Sequence, residues 1–220
     1  MRSQQMFLRL MSLSAATAII ALVAVGCSSR TNQSSVDSII GSGSTMYQYV
    51  TREDARTFTD TWVQAIAVSE KIGPLEGGAK NEGYRDRVVQ LQVIETYWIR
   101  PFSKEVKQFE LHTGIIVKDG KEFPLRLEGV QPLIVGSRYL IGLIYRSDGI
   151  NIPDPHAVLP LKDGHIDPKE SSNVTNSVYL SMVGRTPEGA VALVSSAQPL
   201  ISDSITDPEE RLLQARAAQT

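Results

Sequence analysis

From Trp62 to Leu161, apolar residues recur at every second position over long stretches, and this alternation constrains the chain more than any other feature. Successive side chains of a strand point to opposite faces, so a period of two predicts sheet with one face buried. Trp62 to Ser69 reads as a first strand, and Pro74, Gly77 and Gly78 mark the loop after it. Val88 to Ile99 is a longer strand, in which Val89, Leu91 and Val93 alternate with Gln90, Gln92 and Ile94. Phe109, Leu111, Thr113, Ile115 and Val117 share one face of the next strand, with Glu110 and His112 on the other. Lys118-Asp119-Gly120-Lys121 predicts a two-residue hairpin, because Asp-Gly accepts the positive φ angles such a turn needs. Phe123, Leu125 and Leu127 follow, and Pro124 places their strand at an edge or a bulge. Gln131 to Gly136 is a turn region; Arg138 to Tyr145 is apolar on both faces and predicts the most buried strand. His156 to Leu161 is a further strand, with Asp163-Gly164 as its turn.

After this the period changes. Residues from Val174 to Val183 predict a short helix. Thr186-Pro187-Glu188-Gly189 is a helix start, with Thr as N-cap, Pro at the first helical position and Glu in the first turn. Asp207-Pro208-Glu209-Glu210 repeats that chemistry, and the helix from Arg211 to Ala218 is polar enough to be loosely held. The fold class expected is mainly β with C-terminal helices (α+β), a small antiparallel barrel or sandwich. The domain spans residues 46–170, opening on a polar lead-in with a short helix or irregular segment, and helices within 171–220 pack on it.

The chain's one cysteine, Cys27, follows an uncharged apolar run over residues 10–25, itself preceded by Arg2 and Arg9. That run suits the apolar region of an export signal better than a membrane span, which needs about 20 apolar residues. Ala24-Val25-Gly26-Cys27 resembles the lipobox of bacterial prolipoproteins, and the resemblance implies cleavage before Cys27 with diacylglycerol on its thiol. Residues 1–26 are then the signal peptide. Residues 27–45, rich in Ser, Gly, Asn and Thr, are then a flexible tether. The protein would be held through lipid on the extracytoplasmic face of the cell membrane or, in a two-membrane cell, of the outer membrane. A lone cysteine leaves no internal disulfide, so the core alone must stabilise about 170 residues. The totals are 22 basic and 24 acidic residues, and without Arg2 and Arg9 the balance is about −4. Such a surface does not suit nucleic acid.

Residues 88–165 resemble the OB-like barrels of the netrin and metalloproteinase-inhibitor type. The resemblance rests on Val88-Val89-Gln90-Leu91-Gln92-Val93, on the hairpin at Asp119-Gly120, and on Leu133-Ile134-Val135-Gly136-Ser137-Arg138-Tyr139-Leu140 with the strand that follows. It implies an OB-like barrel. The inhibitory activity needs a free N-terminal cysteine beside the barrel, and an acylated Cys27 on a tether would not supply it.

Few residues carry chemistry. His156 and His165, with Asp154, Asp163 and Asp167, combine the imidazoles and carboxylates that suit zinc, but at no standard ligand spacing. His112 reads as a surface residue. No Gly-x-Ser-x-Gly occurs, and Gly41-Ser42-Gly43-Ser44 lies in the tether, so no nucleophile, metal or cofactor is expected. Tyr84, Tyr97, Trp98 and Phe102 interleave with Arg85, Arg87 and Arg100, a composition common in binding hot spots and equally in the packing of a barrel end. Tyr97, Trp98, Arg100 and Phe102 are therefore the candidate partner-binding residues. The function expected is a non-enzymatic binding or envelope-assembly module. The alternatives are a metal-dependent hydrolase using His156 and His165, and a purely structural envelope component.

Overall fold

The structure, a computed structural model, describes residues 39–41, 47–78, 81–127, 132–168 and 176–218. The predicted signal peptide, Cys27 and most of the predicted tether lie outside the described residues.

Among the described residues nine strands make the sheet: β1 (Ile39–Gly41), β2 (Thr61–Ile72), β3 (Gly83–Ile99), β4 (Gln108–Lys118), β5 (Lys121–Leu127), β6 (Arg138–Arg146), β7 (Gly149–Asn151), β8 (Val158–Lys162) and β9 (His165–Ile166). The helices are α1 (Arg52–Phe58), α2 (Ser177–Met182), α3 (Pro187–Ser195) and α4 (Pro208–Ala218). The strand order is β1-β5-β4-β3-β2-β6-β8-β9, with β7 paired to β6. Among the described residues every strand pairing is antiparallel except β1 with β5. This is the mainly β, α+β arrangement that the alternation predicts. The sheet curls into a half-barrel, consistent with an OB-like architecture.

Local chemistry accounts for the connections. Asp119 and Gly120 both take positive φ, 53° and 72°, so Lys118 and Lys121 face each other across the predicted hairpin. Pro124 sits just outside the stretch of β5 that β1 covers, since β1 begins opposite Leu125. The long β2–β3 hairpin carries three register shifts, between Trp62 and Val63, Gln64 and Ala65, and Ala67 and Ser69. Each bulge increases local twist, and together they bend the sheet. Some elements differ from expectation, and the short strands β7 and β9 form where only turns are predicted. Residues 39–41 fall within the predicted tether and form β1, where Ile39-Ile40 supplies β-branched residues suited to a strand. His156 opens no strand: Asp154 caps a 3-10 turn over Pro155–Ala157, and β8 begins after it.

Around β6 and β8 both faces of the sheet are covered. Val63, Ala65 and Ala67 of β2 join Tyr139, Ile141 and Leu143 of β6 in one core, completed from β3 and β4. On the opposite face Trp62, Leu140, Ile144 and Leu159 meet α1 and the C-terminal helices through Phe58, Tyr179, Val191 and Ala215. The helices thus share the sheet's core. Predicted as the most buried strand, β6 has six consecutive buried residues. The helix starts are capped as their sequences predict: Thr186 Oγ1 accepts from the Gly189 amide at 3.3 Å, and Asp207 Oδ1 from the Glu209 amide at 2.9 Å.

Candidate functional site

The arginines of the aromatic–arginine cluster go to separate places. Arg85 pairs with Glu122 at 3.1 Å, while Arg87 pairs with Glu70 at 2.6 Å and donates to the Leu133 carbonyl. Arg100, at the end of β3, points inward and is 1% exposed. Its Nη2 donates to the carbonyls of Arg56, Thr57 and Thr59, its Nη1 to Asp203 at 2.5 Å, and its Nε lies 3.2 Å from Asp60. Burial, and then the nearby Arg211 charge, push its pKa down to about 10, which leaves it cationic at neutral pH.

Trp98 is half-buried with the Arg56 guanidinium 4.5 Å above its ring centroid, and Tyr97 donates its hydroxyl to Gln64 at 2.8 Å. Burial pushes the Tyr97 hydroxyl pKa up, so this donor keeps its proton. Three of the four candidate residues are therefore held by contacts within the domain. Phe102 is the exception, at 83% exposure and φ of 70°. A left-handed backbone costs a non-glycine residue about 1–2 kcal/mol, and asparagine tolerates it best. Phe102→Asn is expected to raise stability by up to about 1 kcal/mol. An unchanged or lower urea midpoint would show that the ring is held by contacts that offset the strain.

The histidines do not converge. His156 Nδ1 lies 2.8 Å from Asp154 Oδ1, and its ring meets Tyr179 edge-on. His165 sits at the β8–β9 hairpin with Nδ1 3.0 Å from the Asp163 carbonyl. Among the described residues no three His, Cys, Asp or Glu side chains group as a metal site. His112 is exposed on β4, as expected, 3.5 Å from Asp86.

The feature the strand pattern did not reveal is a cleft of about 320 Å³ between β4 and β7. Among the described residues β5 pairs with β4 from Gly114 to Lys118 and leaves Glu110 to Thr113, which line the cleft, without a β5 partner. Leu111, Leu133, Ile150, Ile152 and Val158 supply the apolar lining. Asp86, Glu110 and His112 bring the charged and titratable groups, and Tyr84 closes one side. Tyr84 lies against Gly114, where an added Cβ would come within 2.5 Å of the ring, and its hydroxyl donates to the Thr113 carbonyl at 3.1 Å. The glycine is thus what lets an aromatic ring form that wall.

No protein-family profile and no curated protein matches this chain.

Proposed function

We propose that this protein is a lipid-anchored extracytoplasmic lipoprotein whose folded domain is a non-enzymatic binding module, with the β4–β7 cleft as its binding site. The cleft carries the reading. Small-molecule sites are concave, largely apolar and equipped with a few polar groups, and they begin at volumes of about 300 Å³. The apolar lining of Leu111, Leu133, Ile150 and Ile152, bordered by Asp86, Glu110 and His112, has that composition. Asp86, Glu110, Leu111 and Ile150 stand on paired strands, which hold a site more firmly than loops do, and Leu133 and Ile152 come from the adjoining loops.

The anchor is supported by Ala24-Val25-Gly26-Cys27 and the charge-free run before it. No helix among the described residues is long and apolar enough to cross a membrane. Two or three acyl chains would hold the domain stably, where one would be marginal. Intact mass of the N-terminal peptide from membrane fractions tests this half of the reading. The expected mass corresponds to cleavage before Cys27 plus diacylglycerol, and a Cys27→Ala protein loses it. An unmodified N-terminus retaining residues 1–26 would overturn the lipoprotein assignment.

A further inference from the structure

The charge of the cleft specifies its ligand further, on the reading that the cleft is a binding site. Among the described residues Asp86 and Glu110 line it, and no lysine or arginine does. Asp86 is shared with His112 at 3.5 Å, whereas Glu110 has no ion-pair partner among the described residues. Arg87, whose guanidinium reaches the Leu133 carbonyl, is matched by Glu70 at 2.6 Å. The apolar residues Leu111, Ile150 and Ile152 therefore share the cleft with carboxylates that no lysine or arginine among its described lining offsets.

Spacing restricts the occupant as well. β4 and β7 approach to within 8 Å between Cα atoms. Two strands flanking an inserted third would stand about 9–10 Å apart. The gap does not admit an added strand where they approach, so the cleft suits a compact molecule rather than an extended peptide.

We infer that the cleft takes a small amphiphilic amine, one ring or short chain bearing a single ammonium group. The apolar body lies against Leu111, Leu133, Ile150 and Ile152, and the ammonium faces Glu110 and Asp86. Attraction between the ammonium and these partly exposed carboxylates falls as salt is added.

The test uses three probes of similar size on the full-length chain in lipid nanodiscs, with empty nanodiscs as blank: 2-phenylethylamine, neutral 2-phenylethanol and anionic 3-phenylpropionate. Binding is read from methyl chemical shifts of Leu111, Leu133, Ile150 and Ile152. The amine is expected to bind at least tenfold more tightly than the acid at low salt. The Asp86→Asn/Glu110→Gln double variant is expected to lose that preference while still binding the alcohol. These substitutions preserve side-chain shape at exposed or half-buried positions, and an unchanged methyl spectrum without probe checks the fold. Equal shifts of the cleft methyls by all three probes would overturn the preference for an amine and leave the binding reading standing. Cleft methyls that move with none of them would overturn both.

Discussion

Replacing Asp60 with alanine is expected to destabilise the domain by about 3–5 kcal/mol, the cost of stranding a buried charge. Asp60 lies between α1 and β2, with a side chain 3% exposed. It faces Arg100 Nε at 3.2 Å and Arg211 Nη1 at 2.8 Å, and both arginine side chains are 0% exposed. It also accepts the Arg211 Nη2 donor at 3.0 Å and the Tyr145 amide at 2.8 Å. Without the carboxylate, Arg100 keeps Asp203 and three carbonyls, but Arg211 keeps the Thr57 carbonyl at 3.2 Å. The loss should therefore begin with α4 coming away from the sheet. Asp203→Ala is expected to cost less, because its side chain is 30% exposed and solvent screens the change. Urea unfolding of the two variants beside the parent measures the difference. Domains of this kind are stable by about 5–15 kcal/mol, so the Asp60 variant would lose a large share of the total. A midpoint for Asp60→Ala no lower than that for Asp203→Ala would show that Arg211 finds other partners and that the hub is not what secures α4.

Trp62→Ala is expected to cost a similar amount, about 3–5 kcal/mol, through the cavity it leaves. Trp62 is 1% exposed and belongs to the core shared by the sheet and the C-terminal helices. Its ring lies across β6 at Gly142, where an added Cβ would sit 3.0 Å from Trp62 Cη2. Since Gly142 pairs directly with Trp62 in register, no side chain on β6 can move in to fill the void at that position. Trp62→Phe should cost distinctly less. It keeps most of the ring volume and removes the buried Nε1 donor, which has no hydrogen-bond partner among the described residues. Thermal unfolding of both variants reads the order. Equal losses would point to the indole nitrogen, and not to volume, as what the site requires.

Much of the scaffold was legible because its causes are local. Alternation at Val89, Leu91 and Val93 depends only on neighbours two residues away, and those residues line one face of β3. Asp119-Gly120 and Thr186-Pro187 act within a single turn, so their roles could be read directly. The candidate site was less legible. Tyr97, Trp98, Arg100 and Phe102 were found as a group by composition, yet Arg100 lies inside while Phe102 projects outward. The polar helix α4 was expected to be loosely held. Its anchor is Arg211, a residue that a scan for apolar stripes discards. Glu110 and His112 lie on the polar face of β4 as the alternation predicts, but nothing near them in sequence indicates that Ile150 and Ile152 line the same cleft.

By itself, then, the order of amino acids determined the longer strands and the helices, the hairpin turn at Asp119-Gly120, the caps and the α+β class, since each follows from backbone geometry and the burial of alternate side chains. The tertiary structure alone decided which charges are buried and where an opening lies. Asp60 and Arg211 are 151 residues apart, and their pairing exists only once α4 docks beside α1. The cleft likewise depends on how far β5 extends along β4 and on how the curled sheet brings β7 toward β4. Charge burial is a balance of desolvation against partners drawn from the whole fold, and a cleft is the space that packing leaves unfilled.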